Sequence, residues 1–526
     1  MPESPSAHDT DKMLLIRLGV SLALIVASLL TDSFLSVIFA VAAAVISGYD
    51  IVLDAVECAS RLDFFNKEFL SSLAVLALFI IGCRTEAAAV FPAYQLGMLF
   101  FKYGSEKTEE SGAALLNYCG ERDKNYLLDY MNKSTFEMTS HASEISSAAK
   151  FVLIIAAGFS VLFAVLSPLI FKFSYAEAVR RAAAIFIVCS SFSVCASSGT
   201  LSKLGLCRSA SMGITFFSSQ GFSNVTDCDC VAIEKEGVIT KSLESGALFS
   251  SDVMPTERMI MICAHAVADS QQPFAKPILN VYNGELNHSI ISDFKEINGV
   301  GVGVNISGMH AVLANKEYYK KRGVELPAGS AGSGQVYFLT INGKYAGSVS
   351  INEGLDDKYI SFTDKLRAAD IEKCALITLE PKDTAEQTAY NFAFDFFYPD
   401  CYKDSFDSVL SDFSAKSGNV LLIHSELDRF KKAYCDISVN QNSTTNHVHK
   451  DSVENIPEVI SLSNRVRLIE EENAIIVFII KALLIALAIT GIGKAWFSVF
   501  IDLAAASATF LNSLRITGQQ DNSVNI

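Results

Sequence analysis

The chain has 526 residues, enough for three or four domains of ordinary size. Half of its residues are hydrophobic and 19% are charged, a composition that excludes a disordered or collagen-like chain. Its net charge of −15 argues against a nucleic-acid partner, and twelve scattered Cys are too few for a disulfide scaffold.

The apolar residues are concentrated in eight segments that form four close pairs. A bilayer core of about 30 Å needs roughly 20 apolar residues per helix, so several segments must extend into their flanks to cross it. The long connections hold most of the Lys and Arg, which places them and both termini in the cytoplasm of a multi-pass cell-membrane protein. The predicted spans are Met13–Leu30, Ser33–Tyr49, Phe69–Gly82, Ala87–Phe101, Phe151–Phe173, Val179–Leu206, Ile475–Gly493 and Ala495–Leu514.

The longest connection, 208–472, carries most of the negative charge and has the pattern of a water-soluble α/β domain. Within it, three short apolar runs with polar flanks are typical of buried parallel strands. We therefore predict a parallel sheet that contains Cys230–Ile233, Cys374–Leu379 and Asn419–His424.

A different unit is inserted between the first two of these strands. Gln335–Ile341 and Tyr345–Ile351 flank Asn342-Gly343, and this dipeptide supplies the positive φ values of a type I′ hairpin turn. We therefore predict an inserted unit rich in antiparallel strands at roughly 255–355.

Several segments, in order along the chain, carry a resemblance to one family. They are the membrane pair at 69–97 with Glu86-Ala87-Ala88, the run CVAIEKEGVIT at 230–240, QQPFAKPI at 271–278, NGVGVGVNISG at 298–308, and 473–515. The last segment has matching Asn473, Lys481, Asp502, Asn512 and Arg515. The chain resembles a heavy-metal-transporting P-type ATPase, most like the zinc/cadmium/lead branch.

The resemblance implies a multi-pass domain of eight membrane helices and a cytosolic, HAD-like, doubly wound α/β domain with an inserted α+β unit similar to a nucleotide-binding domain. The implied divisions are helices 1–4 at 1–101, a short cytosolic linker at 102–150, helices 5–6 at 151–206, a phosphorylation-like domain at 208–254 and 356–472, the inserted unit at 255–355, helices 7–8 at 473–515 and a cytosolic tail at 516–526.

The departures from the family pattern fall on its catalytic motifs. Glu234 occupies the place of the phosphorylated Asp, and its extra methylene moves the carboxylate by about 1.5 Å, a misplacement that can cost about 100-fold. Glu236 and Val238 replace Thr residues that help the family bind phosphate and metal. Thr378-Leu379-Glu380 stands where T-G-D is expected, and Gln272 replaces the nucleotide-contacting His.

Two further departures concern transport. The linker 102–150 is polar and helix-prone, too short for the β-rich actuator domain, and has no T-G-E loop. Ser190-Ser191-Phe192 falls where the Cys-Pro-Cys of the translocation site belongs, and without the Pro we expect an unbroken helix.

The candidate site residues each have two interpretations. An intramembrane carboxylate is functional by default, so Asp502 is a candidate metal ligand with Lys481 as counter-ion, as the family implies; the alternative is a structural ion pair. Gly299 and Gly301 resemble a nucleotide loop, but a lone glycine run is a weak signal, and a tight turn is the preferred interpretation. The pairs Cys189/Cys195 and Cys228/Cys230 are interpreted as buried apolar residues rather than metal ligands. No confident catalytic residue is predicted.

The expected function is that of a degenerate family member that does not pump by phosphorylation. It would act in membrane-anchored binding, regulation or scaffolding, with the lipid bilayer, a divalent metal cation or another membrane protein as partners. One alternative is an ATP-driven heavy-metal exporter with divergent motifs, in which case ATP and Mg²⁺ are cofactors. Another is passive metal permeation through Asp502.

Overall fold

The structure is a computed structural model that describes residues 7–31, 34–133, 139–190, 192–194, 196–240, 247–270, 272, 274–297, 300–324, 326, 335–351, 355–380, 382–401, 403–425, 433–439 and 446–517. It divides into two compact units. The membrane unit comprises Met1–Ser211, Ser218–Ser223 and Leu462–Ile526, and the α/β unit comprises Met212–Phe217 and Asn224–Ser461.

The helices are, in chain order, α1 Ala7–Leu30, α2 Phe34–Ser60, α3 Lys67–Ile80, α4 Arg84–Leu115, α5 Glu121–Lys133, α6 Ser140–Phe171, α7 Tyr175–Val188, α8 Ser198–Ser211, α9 Ser219–Asn224, α10 Thr256–Ala266, α11 Ala275–Val281, α12 Lys316–Lys320, α13 Phe362–Ala368, α14 Lys382–Asn391, α15 Lys403–Ser417, α16 Ile456–Thr490 and α17 Ala495–Ser513.

The strands are β1 Ile214–Thr215, β2 Cys230–Glu234, β3 Ala247–Ser250, β4 Ile291–Ile297, β5 Gly301–Ile306, β6 Met309–Asn315, β7 Gln335–Ile341, β8 Lys344–Ile351, β9 Lys373–Ile377, β10 Phe396–Tyr398, β11 Val420–His424, β12 Cys435–Ser438 and β13 His447–Val448.

The described residues of the membrane unit form helices joined by turns and short irregular segments, with no strand. Among the described residues, six segments are long and apolar enough to cross a bilayer: Lys12–Leu30, Phe34–Ser60, Ser140–Phe171, Tyr175–Ser211, Lys450–Thr490 and Ala495–Ile516. The second predicted pair corresponds to α3 and α4, which are not among these six segments. With 14 residues, α3 is only about 21 Å long. The count of eight spans therefore stays a prediction.

The segment predicted as a short linker, 102–150, is mostly helical where it is described. Helix α4 runs to Leu115, α5 follows a single 3₁₀ turn at Leu116–Tyr118, and α6 begins at Ser140. The described part of this segment contains no strand, in agreement with its polar, helix-prone sequence.

A seven-stranded sheet forms the core of the α/β unit, in the order β1-β13-β12-β11-β2-β9-β10. The strands from β13 to β10 are parallel, and β1 pairs antiparallel with β13 at one edge. The three strands predicted from apolar runs are thus confirmed as the adjacent strands β11, β2 and β9. Strand order changes direction beside β2, and such switch points are where doubly wound sheets bind ligands.

The inserted unit contains a six-stranded antiparallel sheet in the order β3-β8-β7-β6-β5-β4. The predicted hairpin is confirmed as β7–β8, with φ of 49° at Asn342 and 79° at Gly343. Helices α10 and α11 contribute to the apolar core against this sheet. Because β3 pairs with β8, the sheet begins at Ala247, ahead of the predicted boundary at 255.

Gly301 is needed for close packing between β5 and β6. A Cβ built there would overlap the carbonyl oxygen of Leu313 and lie 2.5 Å from the Cα of Ala314. At Gly303 the nearest atom would be Val312 Cγ2, at 3.8 Å.

We therefore expect Gly301→Ala to destabilise the inserted unit by about 1–3 kcal/mol, because an extra methyl in a filled site forces the backbone apart. The matched control Gly303→Ala adds the same methyl without a clash and should be neutral or slightly stabilising. Calorimetry of the full chain compares the two, and equal unfolding temperatures would contradict this role of Gly301.

Candidate functional site

The sixth predicted span is interrupted in its middle. Helix α7 ends at Val188, a 3₁₀ turn covers Phe192–Val194, and α8 begins at Ser198. The expectation of an unbroken helix at Ser190-Ser191-Phe192 was therefore wrong, although Ser191 itself lies outside the described residues. A proline is one cause of such a break, and an inserted cationic side chain that donates hydrogen bonds to the freed carbonyl groups is another.

Lys481 of α16 supplies that cation. Its Nζ donates hydrogen bonds to the carbonyl oxygens of Val188 and Ser190, each at 2.9 Å. A third bond, at 2.5 Å, goes to Asp502 Oδ1 of α17. All three ammonium donors are thus used, and both side chains are almost fully buried. Ser193 Oγ also donates to Asp502 Oδ1, at 2.9 Å.

The other residues that match the family in this region form a connected polar network. Asn473 Nδ2 donates to Ser197 Oγ at 3.1 Å, and Asn512 Nδ2 donates to Asn473 Oδ1 at 2.9 Å. Arg515 donates to Asn512 Oδ1 at 3.2 Å. These residues tie α16 and α17 to the segment just before α8.

Glu86, another matching residue, is placed at the first turn of α17. Its Oε1 accepts from the backbone N–H of Ala495 at 3.1 Å, and its Oε2 lies 3.7 Å from Arg180. A carboxylate at a helix N-terminus is favourable because it meets the positive end of the helix dipole.

The geometry around Asp502 favours the structural ion pair over a bound metal. The lysine ammonium occupies Oδ1, where a cation would bind. Cys189 Sγ instead contacts the carbonyl oxygen of Ile185 at 3.3 Å, and Cys195 lies outside the described residues. Among the described residues, no three His, Cys, Asp or Glu side chains are grouped closely enough to hold a metal.

In the α/β unit, Glu234 ends β2 beside the switch point of the sheet. Its Oε2 accepts two hydrogen bonds from Ser425, which follows β11: one from the backbone N–H at 2.6 Å and one from Oγ at 2.9 Å. The carboxylate is therefore held across the carboxyl ends of two neighbouring parallel strands.

Glu236, two residues on, is buried beside the carboxyl ends of β2 and β9. Its Oε1 accepts from Thr378 Oγ1 at 2.6 Å and from the backbone N–H of Leu379 at 3.0 Å. Burial raises the pKa of the Glu236 carboxyl from 4.5 to about 7, against the lowering effect of the hydrogen bond from Thr378. A hydroxyl and a backbone N–H at the carboxyl end of a strand are the donors that an oxyanion requires.

The remaining charges of this crevice are also paired. Lys235 Nζ lies 2.5 Å from Glu380 Oε2, and both side chains are buried. Lys450 Nζ donates to the carbonyl oxygens of Gly237 and Val238, at 2.7 and 2.6 Å. Gly237 has φ of 75°, so this turn needs a glycine.

The crevice therefore does not fit a phosphoryl group with its Mg²⁺. The oxyanion donors of Thr378 and Leu379 are occupied by Glu236, and Glu380, which stands where the family's T-G-D has its Asp, is neutralised by Lys235. We derive no phosphoryl-transfer step through these residues.

Gln272, which stands where the family has a nucleotide-contacting His, contacts the backbone of the inserted unit on both sides of residues 298 and 299. Gln272 Nε2 donates to the carbonyl oxygens of Ile297 and Gly301, at 3.2 and 3.3 Å. Gly301 is explained by its packing against β6, and Gly299 lies outside the described residues. Gly301 is thus the first residue of strand β5, and the choice between a tight turn and a nucleotide loop stays a prediction.

Several groups that shape both sites were missed in the sequence. Ser193 and Lys450 carry no motif, and backbone carbonyls such as those of Val188 and Ser190 have no sequence signal. Ser425 was detectable, because it directly follows a predicted buried strand whose carboxyl end must lie beside that of β2.

No family model matches the sequence, but comparison with known proteins finds similar chains. A cadmium, zinc and cobalt-transporting ATPase of Bacillus subtilis is 21% identical over 606 aligned positions, covering 96% of the chain and 86% of the relative. The chain is a homologue of the heavy-metal-transporting P-type ATPases. A zinc-transporting ATPase of Synechocystis is 22% identical over 326 positions, where the match spans 59% of the chain and less than half of the relative, 45%.

A solved structure has the same fold. The chain matches a zinc-transporting PIB-type ATPase in an E2.Pi state with a TM-score of 0.54, at 14% identity, covering 96% of this chain and 99% of the other. The chain is thus a multi-pass membrane protein with an α/β unit of P-type ATPase architecture.

Replacing Lys481 tests the charge balance in the membrane. Lys481→Met should cost about 3–5 kcal/mol of stability, because it leaves Asp502 buried without its counter-charge and frees two carbonyls. The double variant Lys481→Met/Asp502→Asn should lose less stability than Lys481→Met alone, because the carboxylate charge is removed as well. Thermal unfolding in detergent, followed by the fluorescence of Trp496, the only Trp, measures this.

The matched control is the exposed ion pair of Arg61 and Glu57, for which Arg61→Ala should cost at most about 1 kcal/mol. If Lys481→Met unfolds like the wild type, the ammonium does not support the helix break.

Replacing Glu236 tests the buried carboxyl. Since its pKa is raised on folding, the native state holds this proton more tightly, and the stability that it contributes falls as pH rises from about 4.5 to about 7. The loss amounts to about 3 kcal/mol. Glu236→Gln removes the titration and should flatten this part of the profile in calorimetry of the full chain.

The control Glu372→Gln alters an exposed carboxylate of the same unit and should leave the profile unchanged. An unaltered pH dependence in Glu236→Gln would show that another group titrates there.

Proposed function

We propose that the chain is a P-type ATPase-like membrane protein that does not complete a phosphorylation cycle and acts by binding, regulating or scaffolding other components. The proposal rests on one observation: Glu236 Oε1 accepts hydrogen bonds from the hydroxyl of Thr378 and from the backbone N–H of Leu379. Phosphoryl transfer depends on positioned charge and hydrogen-bond donors, and here an internal carboxyl group accepts hydrogen bonds from those donors.

The proposal includes the topology expected from the sequence. Eight helices cross the membrane, the short α3 among them, and the α/β unit and both termini lie in the cytoplasm. The α/β unit is HAD-like, and its inserted unit corresponds to a nucleotide-binding domain. Gln272 donates hydrogen bonds to the carbonyl oxygens of Ile297 and Gly301 in that unit. Partners are the lipid bilayer and another membrane protein, and a divalent cation where Asp502 is released from Lys481.

Phosphoenzyme formation tests the proposal. Purified full-length protein is incubated with γ-labelled ATP, Mg²⁺ and Zn²⁺ or Cd²⁺, and acid-stable label is counted. We expect no more label in the wild type than in Glu234→Ala, and no metal-stimulated ATP hydrolysis. Label that depends on Glu234 would contradict the proposal.

Orthovanadate binding isolates the role of Glu236. Glu236→Thr frees the donors of Thr378 and Leu379, so it should bind vanadate more tightly than the wild type does. Equal binding by the two would mean that Glu236 is not what closes the crevice.

A second candidate function is ATP-driven cation transport, like that named for the relatives. It is favoured by the buried Asp502, since an intramembrane carboxylate is costly to keep without a role. Metal uptake into proteoliposomes distinguishes the cases: Asp502-dependent flux with ATP supports a transporter, and Asp502-dependent flux without ATP supports passive permeation.

A further inference from the structure

Charged side chains of α4 and α7 meet the turn between α16 and α17 at one end of the membrane unit. Helices α4, α7 and α17 begin at this end, and α16 ends there. Glu177, in the first turn of α7, accepts hydrogen bonds from Arg180 Nη2 and Arg181 Nε, each at 2.8 Å. One carboxylate thus orients two guanidinium groups.

Arg181 contacts the last turn of α16. Its Nη1 donates to the carbonyl oxygen of Ile489 at 2.7 Å, and its guanidinium lies over the ring of Phe173, 4.2 Å from the centroid. A cation at a helix C-terminus is favourable because the unpaired carbonyl groups give that end a partial negative charge. Helix α16 ends at Thr490, so Arg181 lies where this effect is strongest.

Arg180 and Glu86 make the matching contact at the start of α17. Glu86 Oε1 accepts from the backbone N–H of Ala495, the first residue of α17, and its Oε2 lies 3.7 Å from Arg180 Nη1. The turn between α16 and α17 is therefore held by a cation at the end of one helix and by an anion at the start of the next. We call Glu86, Glu177, Arg180 and Arg181 the end clamp.

The two helices that the end clamp holds carry the buried ion pair of the membrane unit. Lys481 lies eight residues before Ile489, and Asp502 lies seven residues after Ala495, so each is about 10–12 Å from the clamp along its helix. Helices in lipid gain no hydrophobic stabilisation from meeting, so close packing and polar contacts keep them together. Small buried residues supply the packing beside the clamp: Ala182, Ala183, Ala184, Ala488 and Ala495.

We propose that the end clamp is a latch that keeps the turn between α16 and α17 closed against α4 and α7, and so keeps water at this end away from Lys481 and Asp502. Its side chains are partly exposed, from 9% for Glu86 to 28% for Glu177, so the latch lies where protein meets water. Opening it would hydrate the ion pair and lower the cost of separating the two charges. No residue of the α/β unit takes part, so the inference does not depend on the proposed function.

The test measures the reactivity of Cys189. This residue directly follows α7 and is completely buried, so it reacts with a thiol reagent only when the surrounding helices open. Full-length protein in detergent is treated with a small charged methanethiosulfonate, and modification of each Cys is followed by peptide mass spectrometry. Cys207 is the internal control, because it is buried in α8, on the other side of the helix break, and reports general unfolding of the same unit.

Gly491→Ala displaces Arg181 without removing a charge. A Cβ at Gly491 would lie 2.8 Å from Arg181 Cζ, and this guanidinium is the end of a flexible side chain that can move away. We expect Cys189 to react about 10-fold to 100-fold faster, since the lost hydrogen bonds involve a charged group, while Cys207 reacts as in the wild type. The matched control is Gly82→Ala at the end of α3: its φ is 83° against 85° at Gly491, but nothing lies within 4 Å of its Cβ.

Charge variants test the same latch directly. Glu177→Gln removes the carboxylate that both arginines share and should expose Cys189 at least as much as Gly491→Ala does. Arg181→Lys keeps a cation near the end of α16, so its Cys189 should react more slowly than that of Arg181→Gln. Arg61→Gln makes the same change in an exposed ion pair within one helix and should behave like the wild type.

Wild-type reactivity of Cys189 in Gly491→Ala would overturn the proposal. So would equal acceleration in Gly491→Ala and Gly82→Ala, or acceleration of Cys207 as large as that of Cys189, because either result would indicate general loosening. Since Gly491→Ala retains every charged side chain, the test holds even where Glu177→Gln fails to fold.

Discussion

A charge removed from water must be matched by another charge or by hydrogen bonds, and this constraint explains the centre of the membrane unit. The ammonium of Lys481 meets one carboxylate and two carbonyl groups of a broken helix. Each partner would be costly alone: the carboxylate as an isolated charge, the carbonyls as unpaired acceptors. Together they make a non-helical segment stable at membrane depth. Irregular backbone is tolerated at that depth only where protein surrounds it.

The same constraint applies to the buried charged groups at the carboxyl edge of the parallel sheet in the α/β unit. Glu236, Glu380 and Lys235 are buried at the carboxyl edge of the parallel sheet, and each has found a partner inside the protein. A ligand site at a sheet edge works when its donors are left for the ligand. Here Glu236 takes the donors of Thr378 and Leu379 with one carboxyl oxygen, while its buried Oε2 has no hydrogen-bond partner among the described residues.

The sequence predicted elements with a strong local pattern. The three parallel strands and the Asn342-Gly343 hairpin followed from apolar runs and turn chemistry. The break between α7 and α8 was missed because its cause, Lys481, lies far along the chain, and only the tertiary structure brings the ammonium to these carbonyls. The sequence also showed that Glu236 replaces a Thr but could not show which donors its carboxylate would take.

The covalent attachment of Glu236 to β2 has a quantitative consequence for any competing anion. A tethered group is present at an effective concentration set by its short connection, in the millimolar range even for flexible linkers. Well-oriented intramolecular groups reach values many orders of magnitude higher. A phosphate group from solution would have to displace this carboxyl group from the donors of Thr378 and Leu379. Glu236 is thus an internal competitor for these donors, and its local concentration does not depend on the concentration of nucleotide in solution.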